Sequence, residues 1–579
     1  MIDVRLVVES ALMAAEATGK DVTGTLLDQA RRAVQERRLD RGELLCRDVL
    51  AANPHHAEAF ITLGLVLAEQ GRLDEAERCL RRALAIRPSS VEAHNNLGVL
   101  LNRRWRCREA MEHFREALRA CPEDAMLHCN LGVAQYRAGR FEQAAASLDR
   151  ALALRPQFAE ALHQRALVWT ALGRCERAME DCRRALALRG DDPDVLNTLG
   201  MALGRLERFA EARAAFEGAL KTDPTFAQAH YNLANLLRNM GDCEGAIAAY
   251  DRAIEVEPDF ADARWNRATA CLLAGRLREG WADFGWRRRA HDGSTLYPHR
   301  LDGPRWDGSP LEGRRLLVHY EQGYGDSIQF WRFLPHVRAA GSYVLLEERP
   351  ALTPLLRDET SVDQVIAAGP EPVPASEYDV HISLLDLPGL FGTTLGTIPC
   401  EVPYVRPPRD RAERLRGRVP TEGVRVGIVW AGSVRHENDR HRSCRLSWFL
   451  DLARVPGVRL VSLQKGPAEA ELAGAETFGV VPLGPHLHDF ADTAAVIGQL
   501  DLVISVDTAV AHLAGAMGAP VWTLLPFAPD WRWLLDRRDS PWYPTMRLFR
   551  QPTWGDWPSV FVEVIEALRA FAARQTPGG

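Results

Sequence analysis

No apolar run in this chain reaches the roughly 18–20 residues that a membrane-spanning helix needs. Its charge leans only slightly to one side, with 71 Lys and Arg against 77 Asp and Glu for a formal net charge of -6. That balance argues against a broad polyphosphate-binding surface and gives no support to nucleic acid as a partner. The 11 cysteines are scattered, odd in number and never spaced as a CxxC pair, which speaks against zinc or dithiol chemistry. Cys46 and Cys182 fall at the repeat position held elsewhere by Phe114 and Phe216, so they are expected to be small buried hydrophobes. A Walker phosphate loop is absent. His436, His441, His486 and His488 form no ligand set with carboxylates or thiolates, so no metal is expected. The N-terminus carries Asp3, Arg5 and Glu9 among its apolar residues and lacks the basic start and apolar stretch of a secretion signal, so a cytoplasmic location is expected.

At 579 residues the chain exceeds a single core and calls for roughly three or four units. Its first half is periodic. Gly64, Gly98 and Gly132 stand about 34 residues apart, and the frame continues through Ala166, Gly200, Ala234 and Ala268. Small residues recur where paired helices must approach, and Pro88 and Pro122 close the second helix of their units. Weaker units fit before and after, at Ala30, Gly42 and Pro54 and at Ala268, Gly280 and Phe284. This array resembles tetratricopeptide repeats. It implies an all-α superhelix of about eight units over 23–290, after an N-terminal helical extension over 1–22. Two positions before each frame residue lies a polar column: Thr62, Asn96, Asn130, Gln164, Thr198, Asn232 and Asn266. A side-chain amide both donates and accepts, as a peptide unit does, so Asn96, Asn130, Asn232 and Asn266 are candidates for holding extended backbone. The alternative is that they bond only between adjacent repeats. The column resembles the asparagine ladder of O-GlcNAc transferases, in which a repeat superhelix feeds a protein substrate to a catalytic domain.

The second half alternates short apolar strands with helical or loop stretches. A linker over 291–312 leads to a strand at Arg315 to Tyr320, and others follow at Tyr343 to Leu346, Val424 to Trp430, Leu460 to Leu463, Leu502 to Ser505 and Val521 to Leu525. Two doubly wound α/β domains, 313–418 and 419–579, are the economical reading. Three segments carry a second resemblance. Gly325-Asp326 precedes a helix and Pro335; Val426 to Ser433 forms a strand and loop; Ser505 to Ala514 contains Asp507-Thr508-Ala509 and His512. Together they are similar to the ADP-heptose:lipopolysaccharide heptosyltransferases, over roughly Gly313 to the end. That resemblance implies the two-domain GT-B fold, with an acceptor-side domain over 313–418, a nucleotide-sugar-binding domain over 419–579 and no metal requirement. Array and domain together resemble bacterial tetratricopeptide glycosyltransferases, including those that modify flagellin.

The site residues follow from chemistry and resemblance together. Sugar transfer needs a base for the acceptor hydroxyl, and Asp326 matches the family's general base, although a helix cap is the plain alternative. Glu321, Gln322, Gly323 and Gly325 form the acceptor-side loop around it. Asp507, Thr508 and Ala509 begin a helix whose free N–H groups suit a diphosphate, with Ala509 standing where the family has glycine. His512 could donate to phosphate or sugar, or simply pack. Gly432 and Ser433 end another strand, followed by Arg440 and Arg442 as partners for phosphate or for an acidic sugar, or as a solvated loop. Lys465 closes the next strand as a phosphate partner. Gly323-x-Gly325 with Glu347 also has the look of a dinucleotide site, but Ile328 replaces its third glycine. The expectation is a glycosyltransferase with no cofactor, using a CMP-, UDP- or ADP-linked sugar as co-substrate and a protein acceptor held by the array. Resemblance implies flagellin as the acceptor, with either a nonulosonic acid from CMP or a hexosamine from UDP as the sugar. The alternative is a catalytically silent repeat adaptor.

Overall fold

The computed structural model describes residues 22–290, 301–341, 343–434, 438–473 and 478–575. The expected N-terminal extension therefore falls outside the described residues except for position 22, as do residues 291–300 of the expected linker and His436. The chain divides into two compact units, 1–229 and 230–579.

In the first unit the described chain runs as antiparallel helix pairs, from Val22–Gln35 with Leu39–Ala52 to Pro193–Arg205 with Phe209–Thr222. The frame glycines explain how closely each pair meets. A Cβ on Gly64 would lie 2.8 Å from Leu80 Cγ, and one on Gly200 would lie 2.6 Å from Phe216 Cε1. Where the frame residue is Ala30 or Ala166, the side chain sixteen positions on shrinks to Cys46 or Cys182, both fully buried. Burial pushes each of those thiols up to about 12, so both stay protonated and inert.

The division between units falls within the helix Ala227–Asn239. The second unit holds Cys243–Val256, Ala261–Leu273 and Leu277–Phe284 together with two parallel sheets. In the first sheet, β1 (Arg315–His319), β2 (Tyr343–Glu348), β3 (Gln364–Ala367) and β4 (Val380–Ser383) take the order β3-β2-β1-β4. The second contains β5 (Val424–Val429), β6 (Val458–Ser462), β7 (Val481–Pro482), β8 (Leu502–Val506), β9 (Val521–Leu525) and β10 (Met546–Arg550). Its order is β10-β9-β8-β5-β6-β7, with every neighbouring pair parallel. The fold is thus an all-helical repeat array followed by an α/β region, as the sequence pattern implies. In the first sheet the direction of winding changes beside β1, and in the second between β5 and β8. Such switch points open a crevice at the carboxyl ends of the strands.

Buried contacts fuse the last helices of this unit to its sheets. The Trp281 indole N–H donates to the Thr393 carbonyl at 3.0 Å, and Trp281 and Phe284 pack edge-on against Trp531 at 5.5 and 6.1 Å. Arg287, fully buried, donates to both Glu321 oxygens at 2.6 Å and to Asp386 Oδ1 at 2.8 Å. Burial works against the charge on Asp386, yet Arg287, Arg305 and Arg288 hold its carboxyl well below the usual carboxylate range.

Gly200→Ala is expected to lower stability by about 1–3 kcal/mol, because the new methyl group must displace the Phe216 ring. Urea unfolding followed by far-UV circular dichroism measures it; combination with Phe216→Leu should cost less than the two single changes added. Arg287→Ala leaves the buried Glu321 carboxylate without its cation, while Asp386 keeps Arg288 and Arg305, and should cost about 3–5 kcal/mol, read on the same transition.

Candidate active site

The loop after β1 is held from three sides. Glu321 is fully buried, and its oxygens accept from Arg287 and from Ser383 Oγ at 2.6 Å. Those contacts make Glu321 the anchor of this loop. Gln322 takes a left-handed backbone with φ 57°, a conformation costly for a residue bearing a Cβ. Arg349 compensates by donating to the Gln322 carbonyl at 2.7 Å, the Gly323 carbonyl at 2.9 Å and Ser327 Oγ at 3.0 Å. The helix Tyr324–Phe330 then begins, and Asp326 Oδ2 accepts from the Gly323 N–H at 2.6 Å. A Cβ on Gly325 would lie 2.7 Å from the His512 ring, so only glycine permits this approach to the second sheet's helix.

Asp326 does more than cap. Its Oδ1 pairs with Arg532, whose guanidinium also donates to Gln329 Oε1 at 2.6 Å and Asp530 Oδ1 at 2.8 Å. The pair crosses from the first sheet's loop to the segment after β9. Burial raises the Asp326 carboxyl above its ordinary value, while Arg532 opposes the rise.

On the second sheet, Thr508 caps the helix Ala509–Ala516 with extended backbone, and its hydroxyl lies 2.9 Å from Ser505 Oγ. Asp507 stands at the β8 end of that turn. Burial, with Asp530 adding, raises its carboxyl to about 6 against the pull of Arg442. His512 is packed, 5% exposed, with its ring stacked on Trp533 at 5.1 Å and its Nδ1 2.9 Å from the Tyr543 hydroxyl. Its Nε2 lies 4.0 Å from Asp507 Oδ1. Burial, then Arg532, pushes the ring down to about 3, so it is neutral at pH 7 and brings no charge to the site.

Arg442 lies against the Gly432 backbone, where a Cβ would come within 2.5 Å of Nη2. The Gly432 N–H donates to Ser443 Oγ at 3.0 Å, and that hydroxyl donates to Asp439 at 2.9 Å. Ser433 is exposed at the same turn. Arg440 departs from this group: it is exposed and donates to the His441 ring at 2.8 Å. The Lys465 ammonium donates to the Gly484 carbonyl at 2.8 Å, while Gln464 ties the β5 and β6 ends by accepting from the Trp430 and Ala431 N–H groups at 3.0 Å. Among the described residues, no three His, Cys, Asp or Glu side chains group as a metal site would.

The sequence reading missed Arg532, Asp530, Arg349 and Tyr543. Arg532 lies between Trp531 and Trp533, and a buried arginine inside an aromatic run is itself a sign of a paired charge.

The polar column divides by chemistry. Thr62 and Thr198 are buried, with hydroxyls bonded to the Glu58 and Asp194 carbonyls of their own helices, and do not line a groove. In the first unit, the Asn130 amide donates to Asn95 Oδ1 at 2.8 Å and Asn96 accepts from Asn95. In the second, the Asn266 amide donates to the Tyr231 hydroxyl and Asn235 Oδ1, each at 3.0 Å, and Asn232 is half-buried. Asn130 and Asn266 thus spend donors between repeats.

Comparison with known proteins bears on both halves. Residues 27–91, 61–125, 129–193, 197–239 and 231–280 match the tetratricopeptide repeat family, and residues 465–530 match glycosyltransferase family 9 (heptosyltransferase). The chain carries tetratricopeptide repeats joined to a glycosyltransferase family 9 segment. Protein FlbA of Caulobacter vibrioides is 28% identical over 384 residues, covering 62% of this chain and 64% of that protein, so the match spans less than two thirds of that relative's length. Among solved structures, pilF of Pseudomonas aeruginosa is 25% identical over 35% of this chain and 92% of its own, with a TM-score of 0.31. PilW, a type IV pilus biogenesis factor, is 23% identical over 38% of this chain and 99% of its own, with a TM-score of 0.35. The family 9 match contains Lys465, Asp507, Thr508, Ala509, His512 and Asp530, and ends before Arg532. No described helix is long and apolar enough to cross a membrane.

Because folded Asp507 holds its proton up to about pH 6 while an unfolded aspartate releases it near pH 4, the native state binds more protons between those values. Stability therefore falls as pH rises through that window. Asp507→Asn should raise the melting temperature at pH 7, with the gain closing as pH is lowered toward 4; differential scanning fluorimetry across pH measures it.

Proposed function

We propose that this protein is a metal-independent GT-B protein glycosyltransferase that moves a sugar from a nucleotide donor to a serine or threonine hydroxyl. The observation that carries the reading is the juxtaposition of Asp326, from the loop after β1, with the Asp507 and Thr508 turn and Arg532 of the second sheet's region. The family 9 match at 465–530 supports a glycosyltransferase and covers one side of that juxtaposition.

In this reading Asp326 takes the proton of the acceptor hydroxyl as its oxygen bonds to the sugar's anomeric carbon. The bond from that carbon to the donor phosphate breaks, and the electron pair leaves with the nucleotide. Thr508 and the first N–H groups of Ala509–Ala516 receive the phosphate, with Arg442 and Lys465 as charge partners. Gly432 and Ser433 leave room for the donor at the β5 end, and neutral His512 supplies a single N–H. The repeats hold the acceptor protein, with the Asn96 and Asn232 amides, the second N–H of Asn130 and the carbonyl oxygen of Asn266 offered to its backbone. Flagellin is the first acceptor to test, on the resemblance of the whole arrangement. The adaptor reading has one observation in its favour: Gly325 abuts His512, so the two sheets' regions touch at the point where substrates would meet.

Thermal stabilisation by UDP-, CMP-, GDP- and ADP-sugars, followed by intact-mass analysis of a co-expressed acceptor, separates the two. The expected result is stabilisation by one donor class, lost in Asp507→Ala, and a sugar-sized mass gain on the acceptor that Asp326→Asn reduces at least about 100-fold. Acceptor capture without response to any donor would make the protein an adaptor.

A further inference from the structure

The pairing of Arg532 with Asp326 places an obstacle in front of the proposed base. Asp326 Oδ1 is held by Arg532 and Oδ2 by the Gly323 N–H, so each oxygen already accepts a hydrogen bond before any hydroxyl arrives. Arg532 is itself over-subscribed by anions: it meets Asp326 and Asp530 directly and Asp507 through space, with its guanidinium lying over the Trp531 ring at 4.3 Å. Three carboxylates share this one buried guanidinium, with Arg442 also acting on Asp507 and Arg349 on Asp326. A phosphate reaching the Thr508 turn adds further negative charge beside it, and the nearest cations to receive that charge are Arg442 and Arg532. A guanidinium offers five N–H groups in a planar fork, and phosphate oxygens match that fork as well as a carboxylate does.

We propose, resting on the glycosyltransferase reading, that Arg532 is a positioning residue that exchanges partners, passing from Asp326 to the diphosphate of the bound nucleotide and thereby releasing Asp326 to take the acceptor proton. The exchange makes and breaks ion pairs only; no covalent bond changes and no proton moves. Its electrostatic consequence has a definite sign. Losing a cation and gaining an anionic neighbour both raise the proton affinity of Asp326, so the base strengthens only with nucleotide in place. Binding is then ordered, donor before acceptor. Asp530 and Gln329 keep Arg532 in reach throughout, since its Nε and Nη1 contacts do not involve Asp326.

The test uses the full chain with inorganic pyrophosphate and with UDP as probes, and reads carbodiimide-driven labelling of Asp326 by peptide mass mapping. A carboxylate held in a buried ion pair is protected, so labelling should rise several-fold when either probe is added to the wild type. In Arg532→Lys, whose single ammonium cannot span Gln329, Asp530 and Asp326, labelling should be high from the outset and unresponsive to the probes. Both probes should raise the wild-type melting temperature in the same samples. Stabilisation with unchanged Asp326 labelling overturns the exchange and leaves the glycosyltransferase reading standing. No stabilisation by either probe or by any nucleotide sugar overturns both. If Arg532→Lys does not fold, the wild-type samples with and without pyrophosphate decide the matter alone.

Discussion

One buried guanidinium sets the geometry of the second unit. Arg287, in the turn that ends the last repeat helix, is enclosed completely and can be charged there only because Glu321 and Asp386 flank it. Removing an ion from water costs several kcal/mol, and that cost is offset only by well-formed, fully satisfied pairs. The fork on Glu321 and the bond to Asp386 come from opposite ends of the first sheet's chain, after β1 and after β4. Repeat helix, strand ends and loop therefore form one body. Moving Glu321 would move Gln322 and Gly323, and with them the N–H that holds Asp326. The position of the candidate base is in this sense fixed from the turn that follows Leu277–Phe284.

Much of the fold was legible because its signals are periodic. A residue that must be small every 34 positions or so leaves a mark that survives any surface variation, and the Gly200 and Phe216 contact shows why the mark exists. The strands that were read from sequence are apolar runs such as Leu502–Val506, buried along their whole length. Those that were missed break that pattern. Val380–Ser383 contains His381, Met546–Arg550 carries Arg547 and Arg550, Val481–Pro482 is two residues long, and Gln364–Ala367 is a short edge strand with exposed ends. Each lies beside strands that supply the apolar packing, so tertiary context overrides weak local preference.

The site was legible in its turns and illegible in its pairs. Asp326, Gly432 and Asp507 stand at strand ends, and open α/β sheets bind ligands there, so their places follow from topology. Arg532 does not follow from it: the contact spans about 200 residues of sequence, and nothing local to Trp531-Arg532-Trp533 names its partner. The same limit applied to Glu321, whose loop position is compatible with facing either solvent or core. Only Arg287, contributed by the preceding repeat, settles the matter. For the asparagine column the limit was geometric. Helical spacing places Thr62 and Thr198 in line with Asn130 and Asn266, yet each threonine hydroxyl bonds back to its own helix, Thr198 also meeting the His163 ring, while the Asn130 and Asn266 amides reach to the preceding repeat.

Charge in the candidate site narrows what each side chain contributes. His512, neutral and packed between Trp533 and Tyr543, cannot offset a phosphate's charge whatever hydrogen bond it donates. Lys465 is more than half exposed and shares itself with the Gly484 carbonyl, so its field is screened by water. Arg442 is the counterweight: its side chain is 14% exposed, it lies over Gly432, and it already lowers the proton affinity of Asp507. Asp439 holds it at 3.4 Å, a loose contact that a phosphate could displace at small cost. In the proposed reading, neutralisation at the second sheet rests on Arg442 and the helix N–H groups beyond Thr508. Arg532 both pairs with Asp326 and acts on Asp507, which makes it a cation common to both halves of the crevice.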